Sequence, residues 1–161
     1  MGDYKLYLDN AKRYVATADH LLTETYPLVK DPRMLLTVLQ NIYGSFKSCM
    51  MYMLYKDVAD GKIPEFDQDF ETMLAIFKAR AERRYRIKPE YIQALEQSYK
   101  ALKTHKESPM EFSRHEMFVI CSDKYETQTI TTANLRDYIG KAKLFIGEID
   151  SGRVKNERVF G

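Results

Sequence analysis

The sequence predicts an all-α protein, an antiparallel, up-and-down bundle of about five to six helices. Apolar residues recur at alternating spacings of three and four along several segments, the pattern of helices that pack on one another. Proline, glycine and helix-capping residues separate these segments with short connections. The 161 residues have an ordinary globular composition, with 45% apolar and 30% charged residues. We therefore expect one domain over residues 1–150 and a mobile tail over residues 151–161.

The most apolar stretch, from Pro32 to Val58, predicts a central helix. Its apolar positions form one seam, made by Leu35, Leu39, Ile42, Phe46, Cys49 and Met53. Small or polar residues occupy another side, namely Thr37, Asn41, Gly44, Ser45 and Ser48. These small residues predict that the backbone of a neighbouring helix comes close. Asn41, Lys47 and Lys56 interrupt the apolar run, so we do not expect a membrane-spanning helix.

Capping signals divide the first half of the chain. Asp3 is a good N-cap for a first helix that runs to about Leu22, and Tyr26-Pro27 is expected to stop it. Asp31-Pro32 supplies the N-cap and a first-turn proline of the central helix. Gly61 is the expected C-cap of that helix.

Three further helices are predicted in the second half. One starts between Pro64 and Asp67, and the next starts at Lys88-Pro89-Glu90. Thr131 or Thr132 caps the last helix, which ends at Ser151-Gly152.

The segment from Ser108 to Thr129 is open to two interpretations. Ser108-Pro109-Met110-Glu111 has the pattern of a capping box, which predicts a short helix over residues 112–121. The run Met117–Cys121 is alternatively a buried strand. The polar residues 122–129 are expected to form a loop.

A basic helical hairpin over residues 78–106 is the strongest electrostatic signal. It holds nine Lys and Arg against three acids, a balance of +6 in a chain whose formal charge is +2. Such a surface favours RNA, DNA or an acidic protein as partner. The alternative is a solvated helix end neutralised by acids elsewhere, and residues 57–71 supply such acids. The candidate phosphate-binding residues are Arg80, Arg83, Arg84, Arg86 and Lys88.

Metal and nucleophile signatures are not found in the sequence. The three histidines lack metal-ligand spacing, and no glycine-rich phosphate loop occurs, so we expect neither a metal nor a cofactor. The two cysteines, Cys49 and Cys121, lie in apolar runs and predict reduced thiols in a cytoplasmic protein. Arg13 and His20 share one helix face, two turns apart.

The order of segments resembles the HEPN superfamily of helical bundles. The similarity lies in a long helical hairpin, the motif region Ser108–His115 with Arg114, and a terminal helix from Leu135 to Ile149. This resemblance implies a dimer and, in many members, an RNase in which four to six residues separate an Arg from a following His. Arg114 matches the Arg, but no His stands at positions 119–121. The resemblance therefore implies a member without the nuclease dyad.

We expect a non-enzymatic helical-bundle protein, a homodimer acting through protein–protein or weak nucleic-acid contacts. The second hypothesis is an RNase of HEPN type that uses Arg114 with His115, or Arg13 with His20. The third is a small-ligand binder with its pocket inside the bundle near Asn41, Ser45 and Ser48, because buried polar groups need partners.

Overall fold

The structure is a computed structural model that describes residues 3–107, 110–114, 116–122, 124, 126–152 and 154. For residues 83 and 110–114 it describes the backbone alone. The helices are α1 (Lys5–His20), α2 (Tyr26–Val29), α3 (Met34–Ala59), α4 (Phe70–Arg83), α5 (Pro89–Glu107) and α6 (Thr132–Asp150). The strands are β1 (Met110–Arg114), β2 (Met117–Cys121) and β3 (Thr127–Thr131). The chain is mostly helical with bundle-like packing, which confirms the predicted fold class.

The helix α3 is the centre of the bundle and contacts α1, α4, α5 and α6. All six residues of its predicted apolar seam are buried, and Phe46 packs against Phe145 of α6. The helices α1 and α3 are antiparallel, since Tyr4 contacts Tyr52 while Tyr14 lies beside Gly44. The prediction of a central helix is confirmed.

The small side of α3 receives α1 at close range. A Cβ atom on Gly44 would lie 2.8 Å from Cδ1 of Tyr14, which is closer than two carbon atoms can pack. Ser45 Oγ donates a hydrogen bond of 2.9 Å to the Ala11 carbonyl oxygen. The close approach predicted from the small residues is confirmed.

The first helix continues further than its sequence predicts. A π-helical turn, Leu21–Thr25, joins α1 to α2, and Lys30 ends the helical path with φ of +55°. Pro27 lies in the first turn of α2, where a missing N–H costs no hydrogen bond. The prediction that Tyr26-Pro27 stops the helix near Leu22 is therefore wrong.

Most of the other helix ends follow the capping residues. Thr131 Oγ1 accepts a hydrogen bond from the Asn134 N–H at the start of α6. Gly61 and Gly152, with φ of +72° and +78°, follow the ends of α3 and α6 as predicted. The helix α4 starts later than predicted, because Asp69 is its N-cap and accepts from the Thr72 N–H.

A three-stranded antiparallel sheet of order β1-β2-β3 replaces the helix predicted over residues 112–121. The alternative, a buried strand at Met117–Cys121, is the correct one. Phe118, Val119 and Ile120 are buried in succession, so both faces of this strand are covered. The residues expected to form a loop contribute β3, whose threonines and isoleucine suit a strand.

Two other expectations concern the chain end and membranes. Most of the tail predicted over residues 151–161 lies outside the described residues, although Val154 is buried. Within the described part of the chain, no helix combines the length and apolar content needed to cross a membrane. The single domain over residues 1–150 stays a prediction.

Candidate functional site

The basic hairpin, formed by α4, the connection at residues 84–88 and α5, is partly neutralised within the fold. Lys78 Nζ lies 3.0 Å from a carboxylate oxygen of Glu96. Lys103 Nζ lies 3.7 Å from a carboxylate oxygen of Glu71, and Arg80 pairs with Asp57. The interpretation that acids of residues 57–71 neutralise part of the hairpin is confirmed for Arg80 and Lys103.

Arg80 belongs to a buried cluster with Asp57 and Tyr85. The Asp57 carboxylate is 3% exposed and accepts from Arg80 Nε at 2.6 Å and from the Tyr85 hydroxyl at 2.5 Å. The Arg80 side chain is only 14% exposed, and its guanidinium lies over the Tyr85 ring. Because this arginine lies inside the protein and pairs with Asp57, we no longer propose it as a phosphate ligand.

Burial raises the pKa of the Tyr85 hydroxyl, and its hydrogen bond to the Asp57 carboxylate raises this pKa further. The proton therefore stays on Tyr85, and the hydroxyl remains a donor to Asp57 well above neutral pH. The Asp57 carboxylate, which has little contact with water, therefore keeps Tyr85 as a second donor beside Arg80.

Tyr85 is expected to make the protein less stable in alkali. An unfolded tyrosine ionises near pH 10, whereas folded Tyr85 ionises at higher pH, so its stabilising contribution is complete below about pH 10. It is lost as the pH rises toward the folded pKa, with a slope of up to about 1.4 kcal/mol per pH unit. Tyr85→Phe should show a shallower loss in urea unfolding measured from pH 8 to about pH 11.5. Equal slopes for the two proteins would contradict this expectation.

The connection between α4 and α5, which we call the basic segment, comprises Arg84 to Lys88. Arg84, Arg86 and Lys88 are exposed, whereas Tyr85 is buried and Ile87 is half-buried. Arg84 is the C-cap of α4, and the alternation over residues 85–88 is that of an extended chain with one side on the core. The buried Tyr85 anchors the segment to α3 through Asp57. The basic residues therefore lie on a fixed piece of backbone at the surface.

A cleft of about 340 Å³, which we call the end cleft, adjoins the basic segment. Its walls come from the end of α3, the turn after it, the basic segment and the end of α6. The polar and aromatic residues of its lining are Tyr52, Lys56, Asp57, Lys62, Tyr85 and Asp150. Lys56 Nζ is 3.2 Å from Asp60, and Lys62 is exposed. The end cleft thus adds two cations to the three exposed ones of the basic segment.

Sequence reasoning missed Lys56 and Lys62, because they lie outside the basic hairpin. They flank the turn at Gly61, and only the fold brings that turn beside Tyr85. The side chain of Arg83, another predicted phosphate ligand, lies outside the described residues.

The residues of the RNase hypothesis are not brought together where the structure describes them. Arg114 is the last residue of β1 and pairs through its backbone with Met117 across a tight turn; its side chain and His115 lie outside the described residues. Arg13 donates a hydrogen bond to Asn10, and His20 Nδ1 is 2.6 Å from a Glu24 oxygen. Seven residues place Arg13 and His20 about 10 Å apart along α1. The HEPN resemblance stays a prediction, although the helix expected at its motif is a β-hairpin.

Two polar residues of the small-ligand hypothesis, Asn41 and Ser45, have hydrogen-bond partners within the helices. The Asn41 amide donates to the Thr37 carbonyl oxygen of its own helix at 2.9 Å, and Ser45 bonds to α1. Ser48 is buried. Asn41 and Ser45 therefore each have one partner that helix structure or helix packing supplies.

Metal ligation and likeness to other proteins give no further assignment. Among the residues that the structure describes, no three His, Cys, Asp or Glu side chains are grouped to hold a metal ion. Comparison with known proteins found no matching family model, no matching curated protein and no matching solved structure.

Proposed function

We propose that this chain is a non-enzymatic RNA-binding protein that holds phosphate groups with the basic segment and the end cleft. The observation that carries the proposal is the alternation at residues 84–88, which leaves Arg84, Arg86 and Lys88 exposed while Tyr85 anchors their backbone. Alternate residues of an extended chain are about 7 Å apart, so Arg86 and Lys88 are spaced along the segment, and Arg84 adds a third cation at the end of α4. A row of cations suits a polyanion better than a single small anion.

The chemistry of these side chains favours RNA. Arginine presents a planar fork of N–H donors that binds phosphate oxygens in pairs, and lysine adds point charges. Tyr52, which is half-buried, lines the end cleft beside Lys56 and Lys62, so an unpaired base would find aromatic surface next to the phosphate ligands. An acidic protein would use the cations but would not need this aromatic wall.

The binding is expected to be weak and strongly dependent on salt. Five cations in contact with single-stranded phosphates limit the slope of log affinity against log salt to about −3.5. Binding without cleavage is proposed because His20, a histidine of the RNase hypothesis, contacts Glu24. Arginine alone does not transfer protons near neutral pH.

A double variant with a matched control tests the proposal. Arg84→Gln/Lys88→Gln removes two charges from the basic segment, and Arg13→Gln/Lys30→Gln removes one Arg and one Lys from other exposed positions. Lys30 precedes the start of α3, whereas the end cleft lies at the other end of that helix. Fluorescence anisotropy with a labelled single-stranded RNA at low salt should show about tenfold weaker binding for the first variant. The control should stay within about twofold of the parent protein.

Equal losses for the two double variants would overturn the basic segment as the binding surface. The same RNA, followed over time on a denaturing gel, tests the RNase hypothesis. Cleavage that Arg114→Ala abolishes would replace the proposal by an enzyme. Tighter binding of polyglutamate than of RNA at equal charge would replace RNA by an acidic protein partner.

We also propose that the protein acts as a homodimer. What supports this is the pair of adjacent, largely exposed apolar side chains Leu28 and Val29 at the end of α2. Light scattering should give twice the chain mass of 18.9 kDa. A monomer mass at micromolar concentration would contradict the dimer without affecting the RNA-binding surface.

A further inference from the structure

A second cleft, which we call the amide cleft, lies between α5, β3 and the first turn of α6. It measures about 360 Å³, which is at the lower end of the range for small-ligand pockets. Its polar lining consists of Gln97, Lys100, Gln128, Thr129, Asn134 and Tyr138. None of these residues belongs to the basic segment or the end cleft, so this site is independent of the proposed RNA-binding surface.

The Gln128 side-chain oxygen is a buried acceptor that has no hydrogen-bond partner among the described residues. Gln128 pairs with Ile120 in the sheet, and this register places it on the same face as a fully buried side chain. A buried acceptor without a donor destabilises the folded state, so it calls for an explanation, and a bound ligand is one. Gln128 also lines the amide cleft, so a turn of its amide group toward the opening would expose this oxygen to a ligand with a neutral N–H group, which would supply the missing donor.

Neighbouring polar groups have a defined hydrogen-bond direction. The Tyr138 hydroxyl donates to the Gln97 side-chain oxygen at 2.6 Å, which leaves the Gln97 amide nitrogen as a donor. Asn134 is exposed on the first turn of α6, where its backbone N–H is bound by Thr131. The rim of the amide cleft therefore offers amide groups that suit another amide.

The floor of the amide cleft is apolar, and its edge carries one cation. Leu39, Ile130 and Leu135 form the floor and are buried. Lys100 is the cation of the lining, and its side chain is exposed. A single ammonium matches a ligand with one negative charge, such as a carboxylate, better than a phosphate with two.

We propose that the amide cleft binds an N-acylated amino acid with an apolar side chain, either free or as the C-terminal residue of a peptide. The ligand carboxylate pairs with Lys100, its amide N–H donates to the Gln128 oxygen, and its side chain covers Leu39, Ile130 and Leu135. Each of the three parts of the ligand thus contacts one feature of the cleft. The neutral amide of an acylated residue enters a buried position at lower cost than the ammonium of a free amino acid.

Three small probes separate the contributions. N-acetyl-leucine carries the carboxylate, the N–H and the side chain. N-acetyl-leucinamide lacks the carboxylate, and 4-methylpentanoic acid lacks the amide N–H. Isothermal titration calorimetry on the full chain should rank N-acetyl-leucine about tenfold tighter than either of the other two, because each loses one charge-assisted or buried hydrogen bond. Equal affinity of all three, or no binding of N-acetyl-leucine at millimolar concentration, would overturn the proposal.

Variants of the protein complete the test. Gln128→Leu should fold, since it removes an unsatisfied acceptor, and should bind N-acetyl-leucine about tenfold more weakly. Lys100→Gln should weaken the binding of N-acetyl-leucine but not that of N-acetyl-leucinamide. The control Lys103→Gln lies one turn later on α5. It should change the affinity for neither probe, because Lys103 lies near Glu71. A loss of affinity for N-acetyl-leucine with Lys103→Gln as large as with Lys100→Gln would contradict the site.

Two further experiments show whether the ligand is a peptide or a free acid, and whether the amide cleft is independent of the RNA-binding surface. A peptide ending in Leu that binds more tightly than N-acetyl-leucine supports the site and assigns it to a peptide C-terminus. A peptide that binds more weakly supports the site and assigns it to the free acid. Arg84→Gln/Lys88→Gln should bind N-acetyl-leucine like the parent protein, so the two proposals fail separately.

Discussion

Replacing Asp57 by alanine is expected to destabilise the protein by about 3–5 kcal/mol, the range for removal of one partner from a buried ion pair. The Arg80 guanidinium would remain in the interior without its carboxylate, and the Tyr85 hydroxyl would lose its acceptor. Urea unfolding of parent and variant at neutral pH measures the difference in the free energy of unfolding.

Asp60→Ala is the matched control on the same helix end. Asp60 pairs with Lys56, but both side chains are more than a third exposed, so water screens the pair. Its loss should cost less than about 1 kcal/mol. A second variant, Asp57→Ala/Arg80→Met, should regain part of the stability because it removes the unpaired cation. An Asp57→Ala cost no larger than that of Asp60→Ala would contradict the described cluster.

Replacing Phe145 by alanine is expected to cost about 3–5 kcal/mol, because it leaves a cavity in the centre of the bundle. Phe145 is 1% exposed, stacks on Tyr91 with ring centroids 4.8 Å apart, and contacts Phe46 of α3. The residue before it, Leu144, is 59% exposed. Leu144→Ala should therefore cost less than about 0.5 kcal/mol in the same urea experiment.

The two alanine variants on α6 differ by one position in sequence and by the side of the helix they occupy. Similar costs for Phe145→Ala and Leu144→Ala would contradict the orientation of α6 against α3. A large cost for Leu144→Ala alone would mean that its face is covered in solution, as in a dimer.

Much of the helical fold follows from local sequence. The seam of α3 repeats at helical spacing from Leu35 to Met53, and the caps Thr131, Gly61 and Gly152 act on their immediate neighbours. These signals need no information from distant residues, so the sequence was sufficient to predict them. They account for the confirmed bundle.

The sheet depends on distant partners, and its prediction from sequence was wrong in part. The capping pattern at residues 108–111 favours a helix locally, but β2 pairs on both sides with β1 and β3. Val119 and Ile120 suit a strand that is covered on both faces. Tertiary pairing outweighed the local signal, and a five-residue apolar run does not show which period it belongs to.

The candidate sites show a similar division. The sequence alone makes Arg80, Arg84 and Arg86 equal candidates for phosphate binding. Only the packing shows that Arg80 is mostly buried in an ion pair with Asp57, whereas Arg84 and Arg86 are exposed. The amide cleft joins residues from α5, β3 and α6, which are brought together by the unforeseen sheet. No local pattern in the sequence predicted the amide cleft.

The salt dependence of RNA binding tests the proposed binding surface most directly. Affinity for one labelled single-stranded RNA is measured from about 20 mM to 200 mM salt for the parent protein and for Arg84→Gln/Lys88→Gln. We expect a log–log slope between about −2 and −3.5 for the parent, and a slope smaller by about 1.4 for the variant, since each lost phosphate contact removes about 0.7. Identical slopes for the two proteins would show that Arg84 and Lys88 do not bind phosphate, and the basic segment would no longer be the RNA-binding surface.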